Sequence, residues 1–208
     1  MPNEAILIID TETTGLIPGT DQVLQFGCIL YDIQANRITD SLEVKILNDR
    51  ISGNFFALNM NKDILLDVLK AYGDYLKNNT EPPGYWHHWS FHKNLKDWLK
   101  ANGAVVNKSG DMTITVCGKN AAAFDVPFIK KMMIEPHTLK FRHRVLDIGS
   151  VMYDPMKDGA TLPDLKACLI RAGWDGTVAH TAMADCEAVL HCLRYKYHGI
   201  RGPHGNEA

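Results

Sequence analysis

The order of apolar patterns along the chain predicts an α/β fold, with a mixed sheet flanked by helices. Residues 5–10 form a continuous apolar run that ends in Asp10, as in a central buried strand. Segments 23–31 and 37–47 have the pattern of two further strands, and residues 32–36 between them are typical of a hairpin turn. Three strands joined by short connections indicate an antiparallel meander at the start of the chain.

Helix-forming segments follow the meander and alternate with one more strand. Residues 112–118 alternate between apolar and polar side chains, as a strand does, and lead into a predicted helix at 126–134. Apolar residues at helical spacing predict the other helices, which are 61–76, a segment between residues 91 and 100, 162–172 and 181–197. Strands first, then helices alternating with strands, is the order of a layered α/β domain.

Length and composition describe one soluble globular domain. The chain has 208 residues, of which 46% are hydrophobic and 22% are charged, and this suffices to bury a core between a sheet and its helices. We interpret residues 1–198 as a single domain. We expect residues 199–208, which contain three glycines and a proline, to form a flexible tail.

Cysteine usage and the absence of a long apolar run predict a cytoplasmic protein. The five cysteines form no C-x-x-C pair and lie in apolar segments, so we expect reduced core thiols. They are Cys28, Cys117, Cys168, Cys186 and Cys192. No apolar run approaches the roughly 18–20 residues of a membrane span, and the first residues lack the basic region of a signal peptide.

Charge is balanced overall but uneven along the chain. A net charge of −2 provides no global attraction for nucleic acid. A basic stretch nevertheless extends over residues 119–144, and its members are Lys119, Lys130, Lys131, Lys140, Arg142 and Arg144. Two interpretations stay open for the basic stretch: a solvated face, or a rim that binds phosphates beside an acidic site.

Carboxylates suited to metal binding stand in two separate places. Asp10 and Glu12 end the first strand, and because they are two residues apart, they project from the same face. Like charges this close resist joint deprotonation unless a cation lies between them. Asp125 precedes Pro127 and could cap the helix that begins there, and a capping carboxylate can also face a metal.

His180 and Asp185 can serve the same site only if a helix begins between them. Five residues apart on one helix, they would point about 140° apart. If His180 lies instead on the loop before the helix, both side chains can converge with the other carboxylates. Oxygen ligands suit Mg²⁺ or Mn²⁺, and a histidine can take a proton from water at neutral pH. These residue types fit hydrolysis of a phosphodiester with two divalent cations.

Three motifs resemble those of the DEDD exonucleases of the histidine subtype. They are Ile-Ile-Asp-Thr-Glu-Thr-Thr-Gly (8–15), Asn-Ala-Ala-Ala-Phe-Asp-Val-Pro-Phe (120–128) and His-Thr-Ala-Met-Ala-Asp (180–185). The superfamily includes the proofreading subunit of bacterial DNA polymerase, ribonuclease T and oligoribonuclease, and the resemblance extends from residue 6 to about residue 197. It implies a ribonuclease H-like fold with a five-stranded mixed sheet. It also implies removal of nucleotides from the 3′ ends of single-stranded or short DNA or RNA, with release of 5′-mononucleotides.

The resemblance assigns a role to each of the five site residues. Asp10 would bridge two divalent cations, Mg²⁺ or Mn²⁺, and Glu12 and Asp185 would hold the cation on the nucleophile side. Asp125 would support the second cation, largely through water. His180 would be the general base.

Residues next to these motifs are implied to contact the substrate. Thr13 and Leu16 would contact the terminal nucleotide, and Phe124 would reach the site beside the carboxylate that follows it. The segment 57–61 is a weak match to a family segment whose residues wedge against bases. By this resemblance Asn59 and Met60 would also contact the substrate.

The second motif departs from the family's usual form. Three alanines, rather than two residues, separate Asn120 from the Phe-Asp pair. The family's role is therefore not assigned to Asn120, whereas the Phe-Asp pair is still expected to reach the site.

An aromatic segment lies between the first and second motifs, and its members are Tyr85, Trp86, Trp89, Phe91 and Trp98. Packing in the core or an interface is the favoured interpretation, and base stacking is the alternative. His87, His88 and His92 lie in the same stretch and include an i, i+4 pair that can bind zinc. No cysteine or further carboxylate is clearly arranged around them, so a zinc site is not the expectation. Asp147 is expected to cap the helix that follows it.

Three functions stay open. The leading hypothesis is a stand-alone 3′–5′ exonuclease, because all five catalytic residue types are present. The alternatives are a proofreading subunit associated with a DNA polymerase and a catalytically weak nucleic-acid-binding or scaffold protein of the same fold. The sequence does not choose between DNA and RNA, or between a monomer and a homodimer.

Overall fold

A computed structural model describes residues 5–135, 138–177 and 179–204. The strands are β1 (Ala5–Thr13), β2 (Val23–Asp32), β3 (Arg37–Leu47), β4 (Tyr85–His87), β5 (Met112–Gly118), β6 (Leu139–Phe141) and β7 (Leu146–Asp147). The helices are α1 (Phe55–Met60), α2 (Lys62–Asn78), α3 (Phe91–Ala101), α4 (Asp125–Lys131), α5 (Ile148–Val151), α6 (Pro155–Asp158), α7 (Leu165–Arg171) and α8 (Ala182–His198).

The strands form one mixed sheet, with β1 near its centre. The order across the sheet is β4-β3-β2-β1-β5-β6, and β7 also pairs with β5. β1, β2 and β3 are the predicted antiparallel meander, and β5 lies parallel to β1. The mixed, ribonuclease H-like α/β arrangement is confirmed. Within the described residues the sheet has seven strands rather than the expected five, and three of the seven, β4, β6 and β7, are only two or three residues long.

Each face of the sheet has its own hydrophobic core. Ile6 and Ile8 of β1 pack in a cluster with residues of α5, α7 and α8, whereas Leu7 and Ile9 pack in a cluster with residues of α3 and α4. Side chains alternate between the faces of a strand. The next even-numbered positions of β1 are therefore directed toward α8, and position 11 is directed toward α4.

Most predicted elements are present, and the differences lie at their ends. The strands predicted at 23–31, 37–47 and 112–118 agree with β2, β3 and β5 within one residue. The helix predicted at 126–134 ends at residue 131 in α4, and the one predicted at 162–172 begins only at residue 165 in α7. The later start has a local cause, because the Asp164 carboxylate accepts a hydrogen bond from the Ala167 amide (2.7 Å) and caps α7.

Four smaller expectations concern the cysteines, Asp147, membrane spans and the tail. All five cysteines are buried and unpaired, as predicted, and Asp147 caps α5 by accepting a hydrogen bond from the Ser150 amide (2.9 Å). Among the described residues, no helix is long and apolar enough to cross a membrane. In the predicted tail, the amide of Gly202 donates to Ala172 O (2.8 Å). Residues 205–208 lie outside the described residues, and flexibility of the tail stays a prediction.

Candidate active site

Three of the predicted carboxylates converge where β1 approaches α8. Asp10 and Glu12 come from β1, and Asp185 comes from the first turn of α8. Each offers one oxygen, and these atoms all lie within 4.8 Å of one another. Glu12 is buried and the other two are partly exposed. We call these residues the carboxylate trio. An all-oxygen donor set of this kind fits a hard divalent cation.

The close contact between α8 and the sheet depends on Gly27 of β2. Gly27 pairs with Asp10 across the antiparallel ladder. A Cβ atom at Gly27 would lie 2.7 Å from the carbonyl carbon of Ala182, so only glycine leaves room for the helix. Nearby, Gln25 Oε1 accepts a hydrogen bond from the Ala182 amide (3.2 Å). The register of β1 with β2 shifts between residues 12 and 13, and such bulges often redirect side chains beside active sites.

The carboxylate trio has unfavourable electrostatics without a cation. Burial, followed by the charges of Asp125, Asp185 and Glu12, raises the pKa of Asp10 well above its usual range. Burial and then the charge of Glu12 raise the pKa of Asp185 to about 6. Full ionisation of the group at neutral pH is therefore opposed. A cation between the oxygens would relieve that opposition.

Asp125 reaches the same end of β1 but is held differently. It is the first residue of α4, and Phe124 rather than Asp125 occupies the N-cap position, so the capping alternative is not what the structure shows. The Thr11 hydroxyl donates a buried hydrogen bond to Asp125 Oδ1 (2.6 Å). Burial raises the pKa of Asp125 to about 7, and the bond from Thr11 opposes that rise. Asp125 lies outside the tight group of oxygens but remains within electrostatic reach of Asp10 and Asp185.

His180 lies on the loop before α8, which is the arrangement that convergence requires. Thr181 occupies the N-cap position, and its hydroxyl accepts a hydrogen bond from the Ala184 amide (3.3 Å). The helix therefore begins between His180 and Asp185. The His180 side chain is exposed, and its charge lowers the pKa values of Glu12 and Asp185. Its assignment as the general base stays a prediction.

Asn61 is a site residue that the sequence analysis did not select. It separates α1 from α2, and its Nδ2 atom donates to Thr13 O (3.0 Å). Burial raises the pKa of Glu12. A hydrogen bond from the Asn61 side chain opposes that rise more strongly than the charge of His180 does. Among the described residues, Asn61 Oδ1 is the buried side-chain atom without a hydrogen-bond partner. A buried acceptor left open in this way is suited to a donor from a ligand or water.

The predicted substrate contacts differ in accessibility. Leu16 is 72% exposed and Met60 50% exposed, and Asn59 is also exposed. Thr13 is buried, and its hydroxyl is already engaged, since it donates to Gly15 O (2.7 Å). Phe124 is partly buried in the core below the site. Their roles toward a substrate stay predictions.

An exposed apolar surface surrounds the start of α1, and sequence reasoning found only part of it. We call it the apolar rim, and it consists of Leu16, Ile17, Phe55, Phe56 and Met60. Two neighbouring phenylalanines at 86% and 75% exposure are unusual for side chains of this size. The signal was the Phe-Phe pair itself, directly after Gly53-Asn54. The rim is fixed to the end of β1, because the amide at position 54 donates to Thr14 O (3.0 Å).

The basic stretch is largely on the surface. All of its members are exposed except Lys119, which is partly buried. Lys131 Nζ lies 3.3 Å from Asp21 O, so it contacts the turn that follows β1. Asn120 is exposed and has a positive φ of 57°. Its backbone amide donates a hydrogen bond to Asp147 Oδ2 (2.6 Å). Both interpretations of the basic stretch stay open.

The aromatic segment belongs mainly to the core. Phe91 is fully buried, and Trp86 and Trp98 pack against the same cluster. His92 is used elsewhere: its Nδ1 atom accepts from the Glu135 amide (3.0 Å), and its Nε2 atom lies 3.1 Å from Thr138 Oγ1. Core packing, the favoured interpretation of this segment, therefore describes most of its aromatic side chains.

Comparison with known proteins shows similarity at the level of the fold. No protein-family model matches the sequence, and no curated protein sequence matches it either. Among solved structures, Escherichia coli exonuclease I in complex with a dA16 oligonucleotide aligns with a TM-score of 0.63 at 16% identity, over 94% of this chain and 41% of that chain. Exonuclease I from Methylocaldum szegediense gives 0.60 at 16% identity, over 94% of this chain and 41% of that one.

A third solved structure is cell-death related nuclease 4 (CRN-4). It aligns with a TM-score of 0.62 at 14% identity, over 93% of this chain and 64% of that chain. The chain shares the fold of these nucleases. It spans about two fifths of exonuclease I and less than two thirds of CRN-4.

Proposed function

We propose that this chain is a metal-dependent 3′–5′ exonuclease of the histidine DEDD subtype that acts on single-stranded or short DNA or RNA. The observation that carries the proposal is the convergence of Asp10, Glu12 and Asp185 within 4.8 Å at the end of a central strand. The fold is shared with exonuclease I, which has been crystallised with dA16. Fold and carboxylates together support phosphodiester hydrolysis.

The donor set indicates which residues would hold the cations. Asp10, Glu12 and Asp185 would hold one divalent cation, and Asp10 with Asp125 would support a second. Mg²⁺ and Mn²⁺ match ligands that are all carboxylate oxygens. When bound, two such cations stabilise the attacking and leaving oxygens of a phosphodiester. The raised pKa values of Asp10 and Asp185 fit this use, because a nearby cation favours the ionised carboxylate.

The remaining polar residues would position the reacting groups. His180 is exposed beside the carboxylate trio, where it would accept the proton of the attacking water. Thr11 orients Asp125 through its hydroxyl. Asn61 holds Glu12 and offers its open Oδ1 atom to a donor such as a terminal hydroxyl of the substrate.

The apolar rim supports a single-stranded substrate. Exposed phenylalanines can stack on unpaired bases, at roughly 1–3 kcal/mol per base. Bases within a duplex are already stacked on one another, so they cannot use Phe55 and Phe56 without unpairing. The modest net charge of −2 agrees with this, because tight binding to long duplexes depends on neutralising many phosphates.

Degradation of 5′-labelled single-stranded DNA and RNA oligonucleotides in Mg²⁺ or Mn²⁺ tests the proposal. We expect a ladder that shortens by one nucleotide at a time from the 3′ end, and its loss in chelator and in Asp10→Asn. Asp74→Asn is the matched control, because Asp74 is exposed on α2. If folded protein binds the oligonucleotides without cleaving them, the binding or scaffold function replaces the enzyme. Activity confined to mismatched primer ends beside a copurified polymerase would favour the proofreading function.

The general base has its own test. His180→Ala is expected to lower kcat by roughly 10²–10⁴-fold with little change in oligonucleotide binding, since removal of a general base affects the chemical step. His204→Ala, at another exposed histidine, is the control. An unchanged kcat in His180→Ala would exclude the histidine subtype while leaving the metal-dependent nuclease in place.

A further inference from the structure

A second group of possible metal ligands lies away from the carboxylate trio. Asp49, His87 and His88 each offer one ligand atom, and these atoms all lie within 4.8 Å of one another. Asp49 follows the end of β3, and His87 is the last residue of β4. β3 and β4 are parallel, with Leu47 paired to His87, and this pairing brings the three side chains together. We call them the histidine cluster.

The ring of His88 is oriented so that one nitrogen remains open. Its Nδ1 atom lies 3.3 Å from Leu47 O, a carbonyl that can only accept, so Nδ1 carries the proton. The Nε2 lone pair then faces Asp49 Oδ2 at 3.8 Å. That distance is too long for a hydrogen bond. It is close to the separation of about 3.4 Å between two ligands of a tetrahedral zinc with bonds near 2.05 Å.

Asp49 contacts the third ligand and is itself positioned by surrounding groups. His87 Nε2 lies 3.0 Å from Asp49 Oδ1. The Tyr72 hydroxyl donates to Asp49 Oδ1 (3.1 Å), and the Trp89 indole nitrogen donates to Asp49 Oδ2 (3.0 Å). Partners of this kind fix ligand orientation in metal sites and are typical of zinc centres.

We propose that Asp49, His87 and His88 bind one Zn²⁺ ion, with water in the fourth position. Two imidazoles and one carboxylate suit zinc, whereas the all-oxygen carboxylate trio suits Mg²⁺ or Mn²⁺. The Asp49 side chain is 51% exposed, which leaves the fourth position open to solvent. The ion would join β4 to the segment after β3 and, through Tyr72, to α2. The proposal does not rest on the nuclease function, since it involves different residues and a different ion.

A direct hydrogen bond is the competing explanation for part of the cluster. Without zinc, the proton on His87 Nε2 donates to Asp49, and His87 Nδ1 accepts a long contact of 3.4 Å from the Trp89 amide. With zinc, the ring proton moves to Nδ1 and that long contact is given up. The two states differ in bound metal, so a metal titration separates them.

Zinc binding by the intact, chelator-treated chain tests the proposal. Zn²⁺ is titrated in excess Mg²⁺, which competes for any cation site at the carboxylate trio, and bound zinc is measured by competition with a chromophoric chelator. We expect one equivalent in the wild type, in Asp10→Asn and in His204→Gln. His88→Gln and Asp49→Asn should weaken binding at least tenfold. Loss of zinc in Asp10→Asn, or unchanged affinity in His88→Gln, would overturn the assignment.

Cobalt and thermal stability provide readouts that do not depend on one variant. Co²⁺ at a tetrahedral site with nitrogen ligands gives intense visible absorption, expected in the wild type and absent in His88→Gln. Zn²⁺ should raise Tm of the wild type and of Asp10→Asn but not that of Asp49→Asn. His88 is partly exposed, and far-UV circular dichroism checks that its variant folds. A wild-type protein that binds neither Zn²⁺ nor Co²⁺ has only the hydrogen-bonded pair, and the proposal is then wrong.

Discussion

Two helices bring an aspartate to the end of β1, and they do so by different means. α8 docks directly on the sheet at Gly27 and places Asp185 beside Asp10 and Glu12, where the neighbouring carboxylates raise the pKa values of Asp10 and Asp185. α4 brings Asp125 from the other side, where the Thr11 hydroxyl supports its carboxylate. The four predicted metal ligands are therefore unequal. In the trio the neighbouring carboxylates add to burial in opposing ionisation, whereas the pKa of Asp125 is raised to about 7 mainly by burial and the Thr11 hydroxyl opposes that rise.

The largest effect is expected from the trio itself. Asp10→Asn keeps the shape of the side chain but removes the charge shared by both proposed cations, so kcat should fall on the order of 10³-fold or more. Stability in chelator should not fall, because a charge repelled by its neighbours is lost. Activity and Tm are measured beside Asp74→Asn. Activity near that of the wild type in Asp10→Asn would remove the trio from the mechanism.

The docking of α8 can be broken without touching a carboxylate. Gly27→Ala adds a Cβ atom 2.7 Å from the Ala182 backbone, so α8 must shift. We expect a loss of about 1–3 kcal/mol in the free energy of unfolding and roughly 10²-fold in kcat, because Asp185 is displaced. Gly73→Ala on α2, where a Cβ atom meets nothing within 4 Å, is the control and should be neutral or stabilising. Equal behaviour of the two variants would contradict the role of Gly27.

The trio could be predicted because its residues lie in short, local patterns. Asp10 and Glu12 share a strand with an apolar pattern, and residues two apart on a strand must share a face. The sequence alone does not place the start of α8, because both a loop and a helical position of His180 fit the spacing. The N-cap hydroxyl of Thr181 decides between them.

The supporting residues could not be predicted because they depend on contacts far apart in sequence. Thr11 meets Asp125 across 114 positions, and Asp49 meets His87 across 38. Gly27 matters only through its distance to Ala182. α1 has six residues, too few for a helical period to be recognised, so the orientation of Asn61 at its end was not accessible.

A pH dependence of stability in chelator would sharpen the comparison. The pKa of Asp125 is raised to about 7, above the value of about 3.9 for an unfolded aspartate. The folded state then binds more protons than the unfolded chain between roughly pH 4 and 7, so stability present at low pH is lost as the pH rises to about 7. We expect Tm of the wild type to fall by about 3–6 °C more than that of Asp125→Asn over this range.

Divalent cations should reverse that loss at neutral pH. Mg²⁺ or Mn²⁺ favours the ionised carboxylates, so Tm should rise in the wild type and much less in Asp10→Asn. In chelator, the Tm of the wild type and the Tm of Asp125→Asn could instead change with pH in the same way. That result would show that Asp125 is ionised without a cation.

Thr11 is a positioning residue, with a smaller expected effect. Thr11→Val keeps the volume but removes the donor that lowers the pKa of Asp125, so that pKa should rise further above about 7. The acid limb of the pH–rate profile should move to higher pH, with roughly tenfold lower activity at neutral pH and recovery in alkaline buffer. Thr11→Ser, which keeps the hydroxyl, should restore the profile. A uniform loss at all pH values would indicate a packing defect instead.

The smallest effect is expected at the basic stretch, and it would decide between the two interpretations left open. Arg142 and Arg144 are exposed on the segment between β6 and β7, and neither is among the residues that would hold cations. If they bind phosphates, Arg142→Ala with Arg144→Ala should weaken oligonucleotide binding a few-fold and reduce the slope of log K against log salt by about 1–2. Phosphate neutralisation releases counterions, so only direct phosphate contacts alter that slope. If the slope of log K against log salt equals that of the wild type, both arginines belong to a solvated face and do not contact phosphates.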